Sequence, residues 1–254
     1  MTAEPAGPRD AATVALIREG DRPEGPPQVL LLERADHAHF APRAQVFPGG
    51  SLDPGDRDPR WGEFWDQEVG GRPDRRAGLE FRVAAMRETF EECGVLLGTF
   101  AGAAPRLEEE RARWRRGGGE GFLEMCLRLG LRPALESLVF VARWVTPEGF
   151  SRRFDARFFL AQLPPEQEPR ADPLGENRSW SWADPAAALR NGHRGEWQLL
   201  PPTRAVLQLV AAGSGVQGTL AAARARKVVT RRPRLDQVTS RRYPGLDRSR
   251  LESP

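Results

Sequence analysis

Arg87-Glu88-Thr89-Phe90-Glu91-Glu92-Cys93-Gly94-Val95 is the stretch whose residue types and spacing can do chemistry. Read as a helix, it sets Glu88, Glu91 and Glu92 at i, i+3 and i+4, so three carboxylates share one face. Val83, Met86, Phe90 and Cys93 form an apolar stripe opposite, which anchors such a helix on a core, and Gly94 is placed to end it. Like charges one turn apart repel, so the pattern calls for a cation among them, most simply a hard divalent metal bound through carboxylate oxygens. The bland alternative is a solvated acidic face, and only the flanking residues distinguish the two.

The elements that must position this helix can be read in chain order. Residues 1–10 have the composition of a disordered lead. The segments from Ala12 to Arg18 and from Gln28 to Arg34 alternate and run apolar as strands, the second apolar enough for a central position. A loop over Ala35 to Ala44 carries His37 and His39, which suit a substrate rim better than a metal site because no third nitrogen or sulfur ligand is near in sequence. Then comes Val46-Phe47-Pro48-Gly49-Gly50, whose two glycines let the backbone approach a ligand or metal with no Cβ in the way.

Gly50-x5-Asp56 followed by Arg87-Glu88-x-x-Glu91-Glu92-x-Gly94-Val95 resembles the Nudix box, G-x5-E-x7-R-E-U-x-E-E-x-G-U with U apolar. Asp56 stands where the pattern has Glu, and Thr89 where it has an apolar residue. An insert separates the two halves: an uninterrupted box places the Arg at position 64, 23 residues before Arg87. The interruption, with Leu30-Leu31-Leu32-x-Arg34-Ala35 upstream of Phe47-Pro48-Gly49-Gly50, is similar to the coenzyme A diphosphatase branch, in particular its animal peroxisomal subgroup. His39 and Arg43 depart from that branch, which has Arg and Gly there.

The resemblance implies an α/β fold, a Nudix α/β/α sandwich with a mixed central sheet, plus helical insertions and a basic C-terminal tail. The domain then spans 11–212, with an insert over 57–79 and a helical insertion over 104–134, and 213–254 forms a basic extension. It implies Mg²⁺ or Mn²⁺ held by Glu88, Glu91, Glu92 and the Gly49 carbonyl, with Glu176 completing the set. Arg87 would orient Glu91, and either Glu92 or Glu176 would take the proton of the attacking water. Arg34, His39, Arg43 and Phe47 are the substrate-binding residues it implies. The implied reaction cleaves coenzyme A or acyl-coenzyme A to 3′,5′-ADP and 4′-phosphopantetheine. Rival readings are a pyrophosphatase acting on ADP-ribose, NADH or capped RNA, and a non-catalytic domain binding a nucleotide or RNA.

The remaining segments add constraints. Trp61, Phe64 and Trp65 give the insert an aromatic helical face, which either packs the insert on the domain or walls an acyl chain. Arg106 to Arg116 and Glu120 to Leu131 read as two helices, the first a solvated charged face. Strands over Leu138 to Val145 and Phe154 to Leu160 bring Arg143, Arg152, Arg153 and Arg157 around one hairpin-like unit. Guanidinium forks match phosphates, so Arg143 and Arg153 are candidate substrate ligands, with salt bridging as the alternative. A Trp-bearing strand near Trp180 follows, then a helix capped by Asp184-Pro185 and another over Thr203 to Ala211.

With a net charge of only +3 in 254 residues, the chain as a whole exerts no general pull towards nucleic acid. The tail is different: from Arg224 it carries 10 Arg/Lys against 3 Asp/Glu, suited to RNA or another polyanion, or else to a strand pair docked on the domain. The partners expected are a small diphosphate substrate and a second copy as a homodimer, with no membrane. Cys93 and Cys126 lie in apolar patterns and suggest buried thiols. Without a signal-like N-terminus or a long apolar run, the expected location is cytoplasmic.

Overall fold

The computed structural model describes residues 7–22, 24–38, 41–65, 78–102, 105–115, 121–150, 152–170 and 177–234. Its strands are β1 (Arg9–Arg18), β2 (Gln28–Arg34), β3 (Ala44–Val46), β4 (Gly49–Ser51), β5 (Gly98–Phe100), β6 (Leu131–Pro133), β7 (Val139–Val145), β8 (Phe154–Gln162), β9 (Asn177–Ala183), β10 (Gln198–Leu199) and β11 (Thr230–Arg231). Its helices are α1 (Leu79–Cys93), α2 (Leu107–Arg115), α3 (Phe122–Arg128), α4 (Pro185–Arg194), α5 (Pro201–Ala211) and α6 (Gly215–Ala225).

A mixed sheet runs in the order β10-β3-β2-β1-β8-β7-β11, with β4 also paired to β1 and β9 to β2. β1 runs parallel to β8 along nearly its whole length, while β2 and β4 join it antiparallel. Burial on both faces explains why β1 and β2 read as continuous apolar runs. Ala12, Val14, Leu16 and Leu30 face the layer containing α1, whereas Ala15, Ile17, Val29 and Leu31 face the layer of C-terminal helices. Alternate residues of each strand thus feed two separate cores, which is the sandwich expected.

The second layer is built from Ala188 of α4, Val206, Leu207 and Val210 of α5, and Val216, Leu220 and Ala223 of α6. α4 begins as the sequence suggests: Pro185 occupies the first turn, and Asp184 Oδ1 accepts the Ala187 N–H at 2.6 Å. α6 was not anticipated in the tail. Its small residues let it close on the sheet, and Thr219 satisfies its buried hydroxyl on the Gly215 carbonyl at 2.6 Å. Beyond it β11 adds to the edge strand β7, with Arg231 over the Trp144 ring at 5.5 Å. At the other end, Arg9 and Asp10, expected in the lead, are the first residues of β1 and pair with Phe154 and Asp155.

Among the described residues, no single helix is long and apolar enough to cross a membrane. Cys93 and Cys126 are buried free thiols.

Candidate functional site

The acidic stretch is helical, but α1 is not a simple amphipathic helix. Phe81, Val83, Ala84, Ala85, Met86, Phe90 and Cys93 are buried together with Arg82, Arg87 and Thr89, because α1 is packed by the sheet on one side and by the insertions on others. Thr89, a polar residue where the Nudix pattern is apolar, is accommodated by donating its hydroxyl to the Ala85 carbonyl at 2.6 Å. Gly94 closes the helix in the left-handed region, φ 71°, its N–H on the Phe90 carbonyl at 2.9 Å.

The Gly49-Gly50 pair lies in β4, directly beside α1. A Cβ on Gly49 would sit 2.4 Å from the Ala12 carbonyl oxygen and 2.6 Å from Thr13 Cα, so the first glycine lets β4 close onto β1. A Cβ on Gly50 would sit 2.4 Å from Glu88 Oε1. The second glycine therefore opens a cradle that the Glu88 carboxylate fills. Glu92 reaches the same strand: its Oε2 accepts the Gly49 N–H at 3.0 Å.

Arg87 organises the rest. Its guanidinium donates from Nε and Nη2 to the two Asp56 oxygens, both at 2.9 Å, and from Nη2 to the Ser51 carbonyl at 2.9 Å. Nη1 turns the other way, to Glu88 at 3.0 Å and Glu91 at 3.2 Å. The i, i+4 pairing of Arg87 with Glu91 expected from the sequence is present. The cation that the carboxylate spacing calls for is, in part, this buried guanidinium, which sits between Glu88 and Glu91. Burial opposes its charge, but Asp56, Glu88 and Glu91 together hold it protonated well above the usual range.

Among the described carboxyl groups, Glu88 is shifted furthest. Burial pushes it up to about 8, and Glu92 and Glu91 add to the rise, while Arg87 acts against it. Burial also raises Glu91, opposed by Arg87 and by a hydrogen bond from Trp114. Among the described residues, no three His, Cys, Asp or Glu side chains converge as a ready metal cage. The donors still suit a hard divalent ion: carboxylate oxygens from successive turns, one of them desolvated and pressed against a backbone left open by Gly50.

Two residues of the helical insertion that belong to no motif also reach this site. Trp114 Nε1 donates to Glu91 Oε1 at 3.0 Å, and Arg111 donates from Nε and Nη2 to the Glu91 carbonyl at 3.0 and 2.8 Å. Arg111 is buried, so one side of α2 docks on the domain while Glu108, Glu109 and Arg113 stay exposed as the solvated face expected. Nothing in a local charge pattern marks one arginine among several as the one that caps a neighbouring helix.

The expected substrate residues are scattered. Arg34 ends β2, where its carbonyl accepts the Arg43 N–H at 3.2 Å. Arg43 is exposed in the left-handed region, φ 62°, 3.5 Å from Asp36. Phe47 corrects the expectation: its ring is buried in the core under the C-terminal helices, so its role is packing. Arg143 is likewise committed, both arms of its fork on Asp155 at 2.8 and 2.5 Å, which is the salt-bridging alternative. Arg153 donates to the Thr146 carbonyl at 3.3 Å. His39 and Glu176 lie outside the described residues. In the insert, Trp61 is 1% exposed and Phe64 and Trp65 pack on the same core, so these rings fasten the insert to the domain.

The family model described as NUDT19 Nudix domain matches residues 73–208, more than half of the sequence. The chain belongs to this Nudix family. The match runs from before α1 to α5, so it takes in the whole Arg87-to-Gly94 half of the box. Gly49, Gly50 and Asp56 precede it and are joined to it by the contacts above. Among curated Nudix relatives, the acyl-coenzyme A diphosphatase NUDT19 of Homo sapiens is 32% identical, over 76% of this chain and 66% of the relative. That of Gallus gallus is 30% identical, over 76% and 65%. The chain thus spans just under two thirds of the length of these relatives. A NUDIX hydrolase from Alicyclobacillus acidocaldarius, 29% identical, superposes with a TM-score of 0.71 over 84% of this chain and 96% of the other. That superposition agrees with the Nudix sandwich built up here.

Proposed function

We propose that the chain is a metal-dependent Nudix diphosphatase that cleaves coenzyme A or acyl-coenzyme A to 3′,5′-ADP and (acyl-)4′-phosphopantetheine. The observation that carries the catalytic part is the meeting of Glu88 and Glu92 with the Gly49-Gly50 backbone, locked by Arg87 and Asp56 across the insert. The substrate class is supported by relatives named acyl-coenzyme A diphosphatase.

A diphosphate presents several negative oxygens around the phosphorus that water must attack. Mg²⁺ or Mn²⁺, when bound, neutralises those oxygens and lowers the pKa of bound water. Glu88, Glu91 and Glu92 would hold the ion, with the Gly49 carbonyl and Glu176 as further oxygen donors. Glu88 supplies a carboxylate already stripped of water, whose charge a divalent ion would compensate. Arg87 keeps Glu88 and Glu91 on one side of α1 and prevents their repulsion from splaying them. Glu92 or Glu176 accepts the proton of the attacking water. Arg34 at the end of β2, Arg43, and His39 would contact the substrate's phosphates.

The deciding experiment is hydrolysis of a panel by the purified chain with Mg²⁺ or Mn²⁺: coenzyme A, acyl-coenzyme A, ADP-ribose, NADH and capped RNA. Release of 3′,5′-ADP from the first two is expected. Preference for ADP-ribose, NADH or capped RNA overturns the substrate assignment alone, and no turnover of any member overturns the enzymatic reading. Glu91→Gln is expected to lower kcat by at least ~10²-fold, the scale of losing one preorganised charged group.

A further inference from the structure

The two insertions meet each other as well as the domain. Trp61 of the first lies against Phe122 of the second, centroids 5.7 Å apart, and Arg60 pairs with Glu124 at 2.8 Å. Phe122 meets Trp114 edge-on at 5.9 Å. Each end of this aromatic row makes a hydrogen bond into the site. Trp61 Nε1 donates to the Gly55 carbonyl at 3.0 Å, within the 3-10 turn that presents Asp56 to Arg87. At the other end, Trp114 Nε1 donates to Glu91 Oε1. The path closes, since Arg87 itself holds Glu91.

From this closed circuit we propose that the insertions form one bracket whose working end is Trp114, a positioning residue that fixes the Glu91 carboxylate for the metal. The inference rests on the reading that Glu91 serves the metal site. The Glu91 side chain is 28% exposed, so packing alone does not fix its rotamer. Arg87 Nη1 reaches both of its oxygens, at 3.3 and 3.2 Å, and by itself leaves the carboxylate free to pivot. The indole N–H takes Oε1 alone, so it distinguishes the two oxygens that Arg87 reaches almost equally. Such outer hydrogen bonds commonly govern metal affinity by 10–100-fold. Arg111 anchors the same corner by capping the Glu91 backbone carbonyl, so side chain and main chain of one residue are both held by α2.

The test uses Trp114→Phe, which keeps a ring against Phe122 and removes the N–H. Mn²⁺ binding is measured by the electron paramagnetic resonance of free Mn²⁺, beside thermal melting and kcat and KM on the preferred substrate. The variant is expected to melt within a few degrees of wild type, bind Mn²⁺ about 10-fold more weakly, and lose kcat with KM nearly unchanged. Repeating the substitution in a Glu91→Gln background should add little, which a merely structural role would not produce. Wild-type Mn²⁺ affinity in Trp114→Phe overturns the inference, as does a loss of the same size in both backgrounds. If the variant does not fold, ¹⁵N-indole spectra of the full chain replace it: the Trp114 resonance should shift in Glu91→Gln, and an unmoved resonance overturns the contact. Failure of the wild-type protein to bind Mn²⁺ overturns the metal-site reading itself and this inference with it.

Discussion

Arg87 and Asp56 are 31 positions apart in sequence and meet through two parallel hydrogen bonds of 2.9 Å. Their side chains are 5% and 1% exposed, so the pair is a buried ion pair that closes the interrupted box across the whole insert. The fork of arginine matches both carboxylate oxygens at once, and lysine cannot reproduce that. Asp56→Asn removes the buried partner of Nε and Nη2 and leaves Arg87 only Glu88 and Glu91 as charged partners on Nη1, and is expected to cost up to about 3 kcal/mol of stability by urea unfolding. Arg87→Lys should destabilise as well and also lower kcat, since Glu88 and Glu91 lose their common partner. Unfolding midpoints equal to wild type for both variants would refute the pairing.

The adjacent glycines should fail differently. Alanine at Gly49 meets backbone atoms of β1, which cannot move aside without parting the strands. Alanine at Gly50 meets a carboxylate, which can. Gly49→Ala is therefore expected to lose about 1–3 kcal/mol of stability. Gly50→Ala should keep most of its stability and lose activity, about 10-fold or more in kcat, by displacing Glu88. Calorimetry and kinetics on both variants decide the matter, and a reversed pattern would exclude this division of roles.

Acid should weaken the pairing of β8 with β7 through Asp155. Burial alone would raise its carboxyl, but the hydrogen bond from Arg143 and the charges of Arg157 and Arg143 win and hold it below the ordinary value. A carboxylate depressed in the folded state stabilises above its unfolded pKa, and that stability drains away as pH falls through the folded one. Wild type is thus expected to lose unfolding free energy steeply below about pH 4. Asp155→Asn should be weaker at pH 6 yet show a shallower acid decline. Parallel curves for the two proteins between pH 6 and pH 3 would count against the network.

Both thiols should be inert in the folded protein. Burial pushes Cys126 up to about 12, and it raises Cys93 further. Neither side chain is accessible to solvent. An aromatic disulfide reagent at pH 8 is expected to label neither cysteine in buffer and both in urea, because thiolate is the reactive form. Rapid labelling without denaturant would show that α1 or α3 opens readily.

The sequence by itself determined what is local. Helical spacing placed Glu88, Glu91 and Glu92 on one face, Gly94 ended α1, and Asp184-Pro185 started α4, because caps and periodicity act over a few residues. The continuous apolar runs of β1 and β2 likewise marked strands covered on both sides. Only the tertiary structure decided which charges pair between distant segments. Arg87 chose Asp56 across the insert, Arg143 was taken by Asp155, and Trp114 and Arg111 came to Glu91 from a helix that looked merely solvated. In α6, Gly215, Val216, Gly218 and Thr219 dilute a run of alanines, and the docking of Val216, Leu220 and Ala223 on the sheet adds to its local propensity. Side chains of one type are interchangeable in a sequence. Burial makes them distinct, since a charge removed from water must find a partner wherever the fold supplies one.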